Sequence, residues 1–489
     1  MTVKLSSLLK SLPEAVVSGD PHIEVKKIEY DSRDTAEGDL FVAIKGFQTN
    51  GHKFIDEALA RGARAVVLEH EDVSRKSTKA TFVKVPDSRR ALAILSDEFY
   101  GHPSRKMQLV GITGTNGKTT VSVLVRELFE GMGIRTGLVG TINYQVGGHS
   151  FAASRTTPES LDLNRMLARM LESGQQAAAV EVSSHALALD RVYGIRFQTA
   201  VFTNLSRDHL DFHRSYEEYL KAKGKLFRSL DVSDGAHAVV NIDDPASGWI
   251  LRWTEAPVLT YGLSQKAMIH PLDFKLDWEG IKLLVKTPGG GLRVRSSLKG
   301  KFNVTNILAA IGVGFVNGFE LDSIGEAIGK IEKIPGRFEQ IDCGQPFSVT
   351  VDYAHTPGAL EALLGTIREL TSGRVILVFG CGGDRDKGKR QLMGKVASQM
   401  ADLCFVTSDN PRNEDPDQII KQITDGMKKG AYQIVPDRRE AIASALKIAQ
   451  KADAVVIAGK GHENYQIIRD RILPFDDRQV VREILQAEL

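Results

Sequence analysis

Residues 107–133 read MQLVGITGTNGKTTVSVLVRELFEGMG: an apolar strand run, a glycine-bracketed loop, then an amphipathic helix. A strand that delivers such a loop to a helix N-terminus belongs to a parallel sheet, and parallel sheets need helices on both faces. The glycines at 111, 114 and 117 let backbone N–H groups close around phosphate oxygens, and the helix N-terminus adds a partial positive charge. Lys118 is placed to reach β- and γ-phosphates, and the Thr119 hydroxyl to bind Mg²⁺. The general phosphate-loop spacing is not fully met, because Ile112 stands in the slot of its first glycine. The segment predicts ATP or GTP binding.

The same alternation recurs on either side. Before it, strand-like runs at IEYDSR, DLFVAIKG, ARAVVLEH and TFVKV surround the helical pattern HKFIDEALARGA, and DSRRALAILSDEFYG closes the region. Gly101-His102-Pro103-Ser104 is a breaker cluster and reads as a linker. After the loop come apolar runs at 177–183, 199–206 and 237–242, with helices near 159–173 and 215–230. Residues 257–300 change rhythm and read as antiparallel hairpins. Beyond Pro335-Gly336-Arg337 the alternation restarts, with strands FSVTVDY, RVILVFG, LCFVTSD and AVVIAG. Helices are expected there at PGALEALLGTIREL, KRQLMGKVASQMA, DPDQIIKQITDGMKKG and RREAIASALKIAQ. No GxGxxG follows the first of those strands, which argues against a dinucleotide. The predicted class is α/β in three domains: a smaller N-terminal α/β domain (1–107), a central P-loop ATPase with a parallel sheet (108–335), and a C-terminal Rossmann-like doubly wound domain (336–489). A chain of 489 residues allows about three domains.

Composition removes whole classes of function. With 63 Lys and Arg against 61 Asp and Glu the net charge is +2, which argues against wholesale nucleic-acid binding. No apolar run approaches the roughly 18 residues of a membrane span. The opening MTVKLSSLLKSLPEAVV is interrupted by Lys10, Ser11 and Glu14, so no signal-peptide core is expected. Cys343, Cys381 and Cys404 form no CxxC pair, which suits a reducing cytoplasm.

GTNGKTT resembles the loop of the Mur ligases and of their folylpolyglutamate synthetase cousins. The likeness continues through EVSSH (181–185), DHLDFH (208–213), YLKAK (219–223), KFNVTN (301–306), PGRFE (335–339) and DYAH (352–355). In the last third it adds GCGGDRDKGKR (380–390), SDNPRNEDP (408–416), GKGHE (459–463) and FDDR (475–478). The chain is thus identified as resembling the Mur ligase family. The resemblance implies an ATP-dependent peptide ligase of peptidoglycan synthesis, joining meso-2,6-diaminopimelate to UDP-N-acetylmuramoyl-L-alanyl-D-glutamate through an acyl phosphate. It implies a cytoplasmic enzyme acting on small molecules, without nucleic acid or membrane insertion, and expected as a monomer.

The resemblance also assigns residues. ATP falls to Gly114, Thr115, Asn116, Gly117, Lys118, Thr119 and Thr120, with Asn303, Asn306, Arg337 and Asp352. Mg²⁺ falls to Thr119, Glu181, His209 and Lys223, the lysine carrying a CO₂-derived carbamate that offers oxygen to a hard cation. Lys118, Lys223, Glu181 and His209 form the catalytic set. On spacing alone Lys223 reads as a solvated helix lysine like Lys221 and Lys225. The UDP-sugar dipeptide falls to Ser32, Thr156, Thr157, Ser183 and Arg191. Arg155 and Leu189 depart there from residues found in some relatives. Diaminopimelate falls to Arg385, Asp409, Asn410, Pro411, Arg412, Gly459 and Glu463, where arginines fork onto carboxylate and acids accept from ammonium. Read without the resemblance, Asp409-Asn410-Pro411 is a helix opening. Three rival functions are a folate–glutamate ligase of the same fold, a lysine-adding ligase, and a nucleotide-driven switch without ligase chemistry.

Overall fold

The computed structural model describes residues 2–46, 49–70, 79–428, 430 and 432–488. The chain forms two compact units: Met1–Gly111 with Ile134–Gln198 and Ser229–Ala236, and Ile112–Gly133 with Thr199–Arg228 and His237–Leu489.

In the first unit the strands Ile28–Glu29, Leu40–Val42, Ala65–Leu68 and Thr81–Lys84 pair in parallel, and Val16–Ser18 lies antiparallel on the far edge. Side chains alternate across this sheet. Leu40, Val42 and Val67 enter one buried cluster with Leu92 and Leu95 of the helix Ser88–Phe99, while Phe41, Ala43 and Val66 enter another with Ile55 and Ala58. Burial on both faces is why these runs are continuously apolar. The IEYDSR run is strand only at Ile28–Glu29, because Asp31 accepts from Arg33 N and folds Ser32–Asp34 into a 3₁₀ turn. Further on, Thr136–Val139 and Ala177–Glu181 pair in parallel. The hairpin Asn143–Val146 with His149–Ala152, turning at Gly147-Gly148, was not expected from sequence.

In the second unit the glycine loop leads into the helix Lys118–Gly131, and the strands Thr199–Phe202, His237–Asn241 and Val258–Tyr261 run parallel. Of the hairpins expected over 257–300, His270–Asp277, Gly280–Thr287 and Gly290–Ser296 are present as a three-stranded antiparallel sheet, but the TYGL run is not part of it, because Val258–Tyr261 pairs in parallel with His237–Asn241. The last third holds a six-stranded sheet ordered Glu339–Gln340, Ser348–Asp352, Ala454–Ala458, Val375–Phe379, Leu403–Val406, Tyr432–Ile434. It is parallel throughout except for its first pair. Apolar clusters cover both faces, as a doubly wound unit requires. The helix expected over 415–430 spans Pro416–Thr424, with Asp415 capping Asp417 N; Lys429 lies outside the described residues. Among the described residues no helix is long and apolar enough to cross a membrane.

Candidate functional site

The glycine loop is held by the chain that follows the strand Thr199–Phe202. Thr115 N donates to Asn204 O at 2.8 Å, Asn116 N donates to Asn204 Oδ1 at 2.9 Å, and Thr203 Oγ1 donates to Asn116 O at 2.6 Å. At Gly117, with φ +85°, an added Cβ would sit 2.6 Å from Asn306 Oδ1. Glycine is needed there twice over, for the left-handed backbone and for the close approach of Asn306. Asn306 in turn donates to Asn303 Oδ1 at 2.9 Å, so the two asparagines of KFNVTN lie one helical turn apart on the helix Lys301–Val316.

Two lysines converge on one carbonyl. Lys118 Nζ donates to Gly114 O at 2.9 Å and to Thr115 O at 2.7 Å, and Lys223 Nζ donates to Gly114 O at 2.7 Å. Lys223 is fully buried because the helix Tyr216–Arg228 turns Leu220, Lys223 and Phe227 inward at helical spacing. Lys221 and Lys225 on the same helix are exposed. Burial first, then the Lys118 charge, push the Lys223 amine well below the ordinary lysine range. Tyr219 joins this group: its hydroxyl lies 3.0 Å from Thr115 Oγ1, and its ring faces Lys223 Nζ at 4.5 Å and the His209 ring at 6.1 Å.

His209 has φ +55° and lies 3.4 Å from Asp208, whose carboxyl burial would raise but which His209, His355 and Lys389 hold well below its ordinary range. From the start of the last third, Arg337 donates to the Thr119 hydroxyl at 3.0 Å and stacks over Tyr353 at 4.7 Å. Asp352 accepts from Phe338 N at 2.7 Å; burial raises its carboxyl against the pull of Arg337. Lys118, Thr119, Lys223, Asn306 and Arg337 are therefore gathered about one loop. Among the described residues no three His, Cys, Asp or Glu side chains assemble as a metal site.

In the first unit Glu181 ends its parallel strand, and its oxygens accept from Thr141 N and Thr141 Oγ1, both at 2.9 Å. Thr141 Oγ1 lies 3.0 Å from Thr156 Oγ1. Thr157 donates to Glu181 O at 2.7 Å and accepts from Ser183 N at 3.0 Å, and Arg191 donates to Thr157 O at 3.1 Å. Four of the five residues expected for the sugar dipeptide thus form one cluster with Glu181. Ser32 is held elsewhere, donating to Glu57 at 3.0 Å. Sequence reasoning passed over Glu159, a buried carboxylate approached by Arg191 at 2.9 Å, Arg89 at 3.2 Å and Arg155 at 3.8 Å. Three guanidinium groups around one carboxylate leave surplus positive charge for an anionic ligand.

The third cluster sits where the parallel strands of the last sheet end, the usual ligand position in open α/β sheets. Asp409-Asn410-Pro411 does not open a helix; Asp415-Pro416 does. Arg412 takes φ +52°, with its N donating to Ile467 O at 3.0 Å and its O accepting from Arg469 N at 2.7 Å. The guanidinium donates to Gly383 O at 2.7 Å, and the exposed Arg385 lies beyond Gly382. Asn410 Nδ2 donates to Glu463 at 2.8 Å, and Gly459 leaves no room for a side chain against Asp409. Asp409 is buried; burial would raise its carboxyl, but Lys460 and Arg438 hold it down, whereas burial and Asp409 raise Glu463.

Four partners in this region were missed from sequence. Lys460 bridges Asn410 and Glu463 at 3.3 and 3.2 Å. Arg438 is clamped by Asp477 through two bonds of 2.8 Å and donates to Ala458 O. Glu414 receives both ends of the Arg390 guanidinium at 2.9 Å and Asp384 N at 2.6 Å, tying the 380–390 loop to DNPR. Tyr353 supports Arg337 from below. Lys460, Glu414 and Tyr353 lie in the quoted motifs and Arg438 opens a quoted helix, but the three charges read as solvated until burial is known.

Three family models match the chain: "Mur ligase family, catalytic domain" over residues 24–100, "Mur ligase middle domain" over 112–314, and "Mur ligase, glutamate ligase domain" over 336–461. The chain is 46% identical over 486 residues to a protein of Geobacillus kaustophilus named UDP-N-acetylmuramoyl-L-alanyl-D-glutamate--2,6-diaminopimelate ligase, covering 98% of this chain and 99% of that one. A like-named protein of Syntrophomonas wolfei is 44% identical over 490 residues, covering all of both chains. A solved structure of a ligase with the same name aligns with TM-score 0.69 at 34% identity, covering 100% of this chain and 99% of the other.

Proposed function

Because the chain belongs to the Mur ligase family, we propose that it is the ATP-dependent ligase that joins meso-2,6-diaminopimelate to UDP-N-acetylmuramoyl-L-alanyl-D-glutamate. Residues 1–107 take the UDP-sugar, 108–335 carry the ATP chemistry, and 336–489 take the amino acid. It works in the cytoplasm, as a monomer, on these small molecules. The observation that carries the reading is the gathering of Asp409, Asn410, Arg412 and Glu463 at the strand ends of the last sheet, on a chain similar from end to end to ligases named for that reaction.

The γ-phosphoryl of ATP passes to the substrate carboxylate, giving an acyl phosphate and ADP. The amino group then attacks the acyl carbon, and phosphate leaves from the tetrahedral intermediate. Lys118, seated on the loop carbonyls, balances charge on the transferring phosphoryl. Arg337 brings a second cation to the Thr119 hydroxyl. Asp409 and Glu463 receive the ammonium of the incoming amino acid, while Arg412 and Arg385 take its carboxylate.

Mg²⁺ would be held by Thr119, His209 and a carbamate on Lys223, and would supply charge neutralisation at the phosphates. The donor set suits it. A buried lysine pushed toward its neutral amine is the form that takes up CO₂, and the carbamate offers the oxygen donors that Mg²⁺ prefers. The test is phosphate release, expected only with ATP, Mg²⁺, UDP-N-acetylmuramoyl-dipeptide and diaminopimelate together. Lys118→Ala should cost about 3 kcal/mol of transition-state stabilisation, roughly a hundredfold in rate. Near-normal turnover in that variant would sink the assignment.

A further inference from the structure

Lys460 lies in the amino-acid cluster, and its side chain is 0% exposed. A lysine is seldom sealed this completely unless its charge is answered. Here Nζ donates to Glu463 Oε2 at 3.2 Å and to Asn410 Oδ1 at 3.3 Å, and the Tyr465 ring lies 5.6 Å away. The same Glu463 oxygen also accepts from Asn410 Nδ2, and Asn410 Oδ1 accepts from Ile467 N at 2.9 Å. The lysine is therefore tied into the two residues that face the incoming amino acid.

From this geometry we propose that Lys460 is a specificity-determining residue, which makes the site select a zwitterionic side-chain head over a bare ammonium. The proposal rests on the reading that this cluster binds diaminopimelate. Without Lys460, Asp409 and Glu463 would balance Arg412 and Arg385, and a cationic side chain such as that of lysine would meet no surplus positive charge. With Lys460 in place three bases, Lys460, Arg412 and Arg385, face two acids. The other fully buried cations of the region, Arg438 and Arg390, are already matched by Asp477 and Glu414 and add no net charge. A distal head carrying both ammonium and carboxylate adds nothing to that surplus, and an ammonium alone adds to it. Selectivity commonly needs such a repulsive element beside the attractive one. Charges this deep are little screened by salt, so one charge more or less shifts binding of a cation by roughly tenfold or more.

The experiment measures kcat/KM for meso-diaminopimelate and L-lysine on the full-length wild type, Lys460→Met and Glu463→Gln. Methionine keeps the length of the buried stem without its charge, and a melting temperature near that of wild type checks folding. The lysine-to-diaminopimelate ratio should rise about tenfold or more in Lys460→Met and fall in Glu463→Gln, which leaves the ammonium uncompensated. Equal losses for both amino acids in both variants, or shifts in the same direction, would overturn the proposal. If Lys460→Met does not fold, the direction of the Glu463→Gln shift decides alone. A wild type inactive with both amino acids overturns the underlying reading and the proposal with it. An active wild type with an unmoved ratio overturns the proposal only.

Discussion

Arg412 is set before any substrate arrives. Pro411 limits the backbone ahead of it, and two backbone hydrogen bonds to the 467–469 strand turn fix it at φ +52°. Burial, then the neighbouring charge of Arg385, lower its guanidinium, so a carboxylate partner relieves strain between cations. Breaking a buried Arg–carboxylate pair costs on the order of 2–5 kcal/mol. Arg412→Ala should therefore weaken meso-diaminopimelate by roughly 30-fold to several-thousand-fold in kcat/KM and narrow its advantage over L-lysine. A variant that keeps its full preference would show that the carboxylate is read elsewhere. Lys223 makes a second demand at this scale. Lys223→Ala should be nearly inactive, and short carboxylic acids should restore part of the activity by supplying the missing oxygen donor. Labelled CO₂ should also give a carbamate carbon resonance in wild type that the variant lacks.

Among elements, one carboxylate gathers several of the bonds that hold the loop at 380–390. Glu414 receives Arg390, itself 0% exposed, and the resulting bonds hold its carboxyl down to about 2 from an ordinary value near 4.5. A lowered carboxyl contributes stability above its unfolded value and loses it as pH falls through the folded one. The melting-temperature gap between wild type and Glu414→Gln should be wide at pH 7, where a buried guanidinium has lost its partner. It should close as pH falls from about 4.5 toward about 2. A gap independent of pH would mean that the pair adds nothing.

Elements also differ in how far sequence exposed them. The helix Pro357–Leu370 was legible to the residue, because Thr356 caps it, Pro357 opens it and one face is apolar. Lys301–Val316 was not: it is buried nearly all round, so no 3.6-residue stripe marks it. The small hairpin Tyr465–Ile468 with Arg471–Pro474 is short and mostly exposed, leaving no alternation to read. In the site, the glycine loop and DNPR announced themselves by residue type and order. Lys460 and Arg438 did not, since only burial separates them from ordinary surface charge.

At the scale of the whole molecule, the second unit draws the glycine loop and the last sheet into one body, although about 200 residues of chain separate them. The junction PGRFE does this with adjacent residues. Arg337 reaches Thr119, and an added Cβ on Gly336, at φ +65°, would lie 2.1 Å from His462 N in the GKGHE loop. Gly336→Ala should therefore disturb nucleotide and amino-acid binding together. Raised KM values for both in a variant that still folds would bear this out; a change in only one would show the two ends to be independent. The junction carries a further consequence, one of reciprocity. Any shift in Arg337 when phosphate enters must be felt one residue away, where the backbone abuts the loop that bears Glu463. Two ligands joined through one rigid dipeptide cannot bind as strangers, and linkage requires each to change the other's affinity by the same factor. Calorimetric titrations of a non-hydrolysable ATP analogue with and without diaminopimelate, and the converse, should return equal factors. In Gly336→Ala both factors should fall toward one.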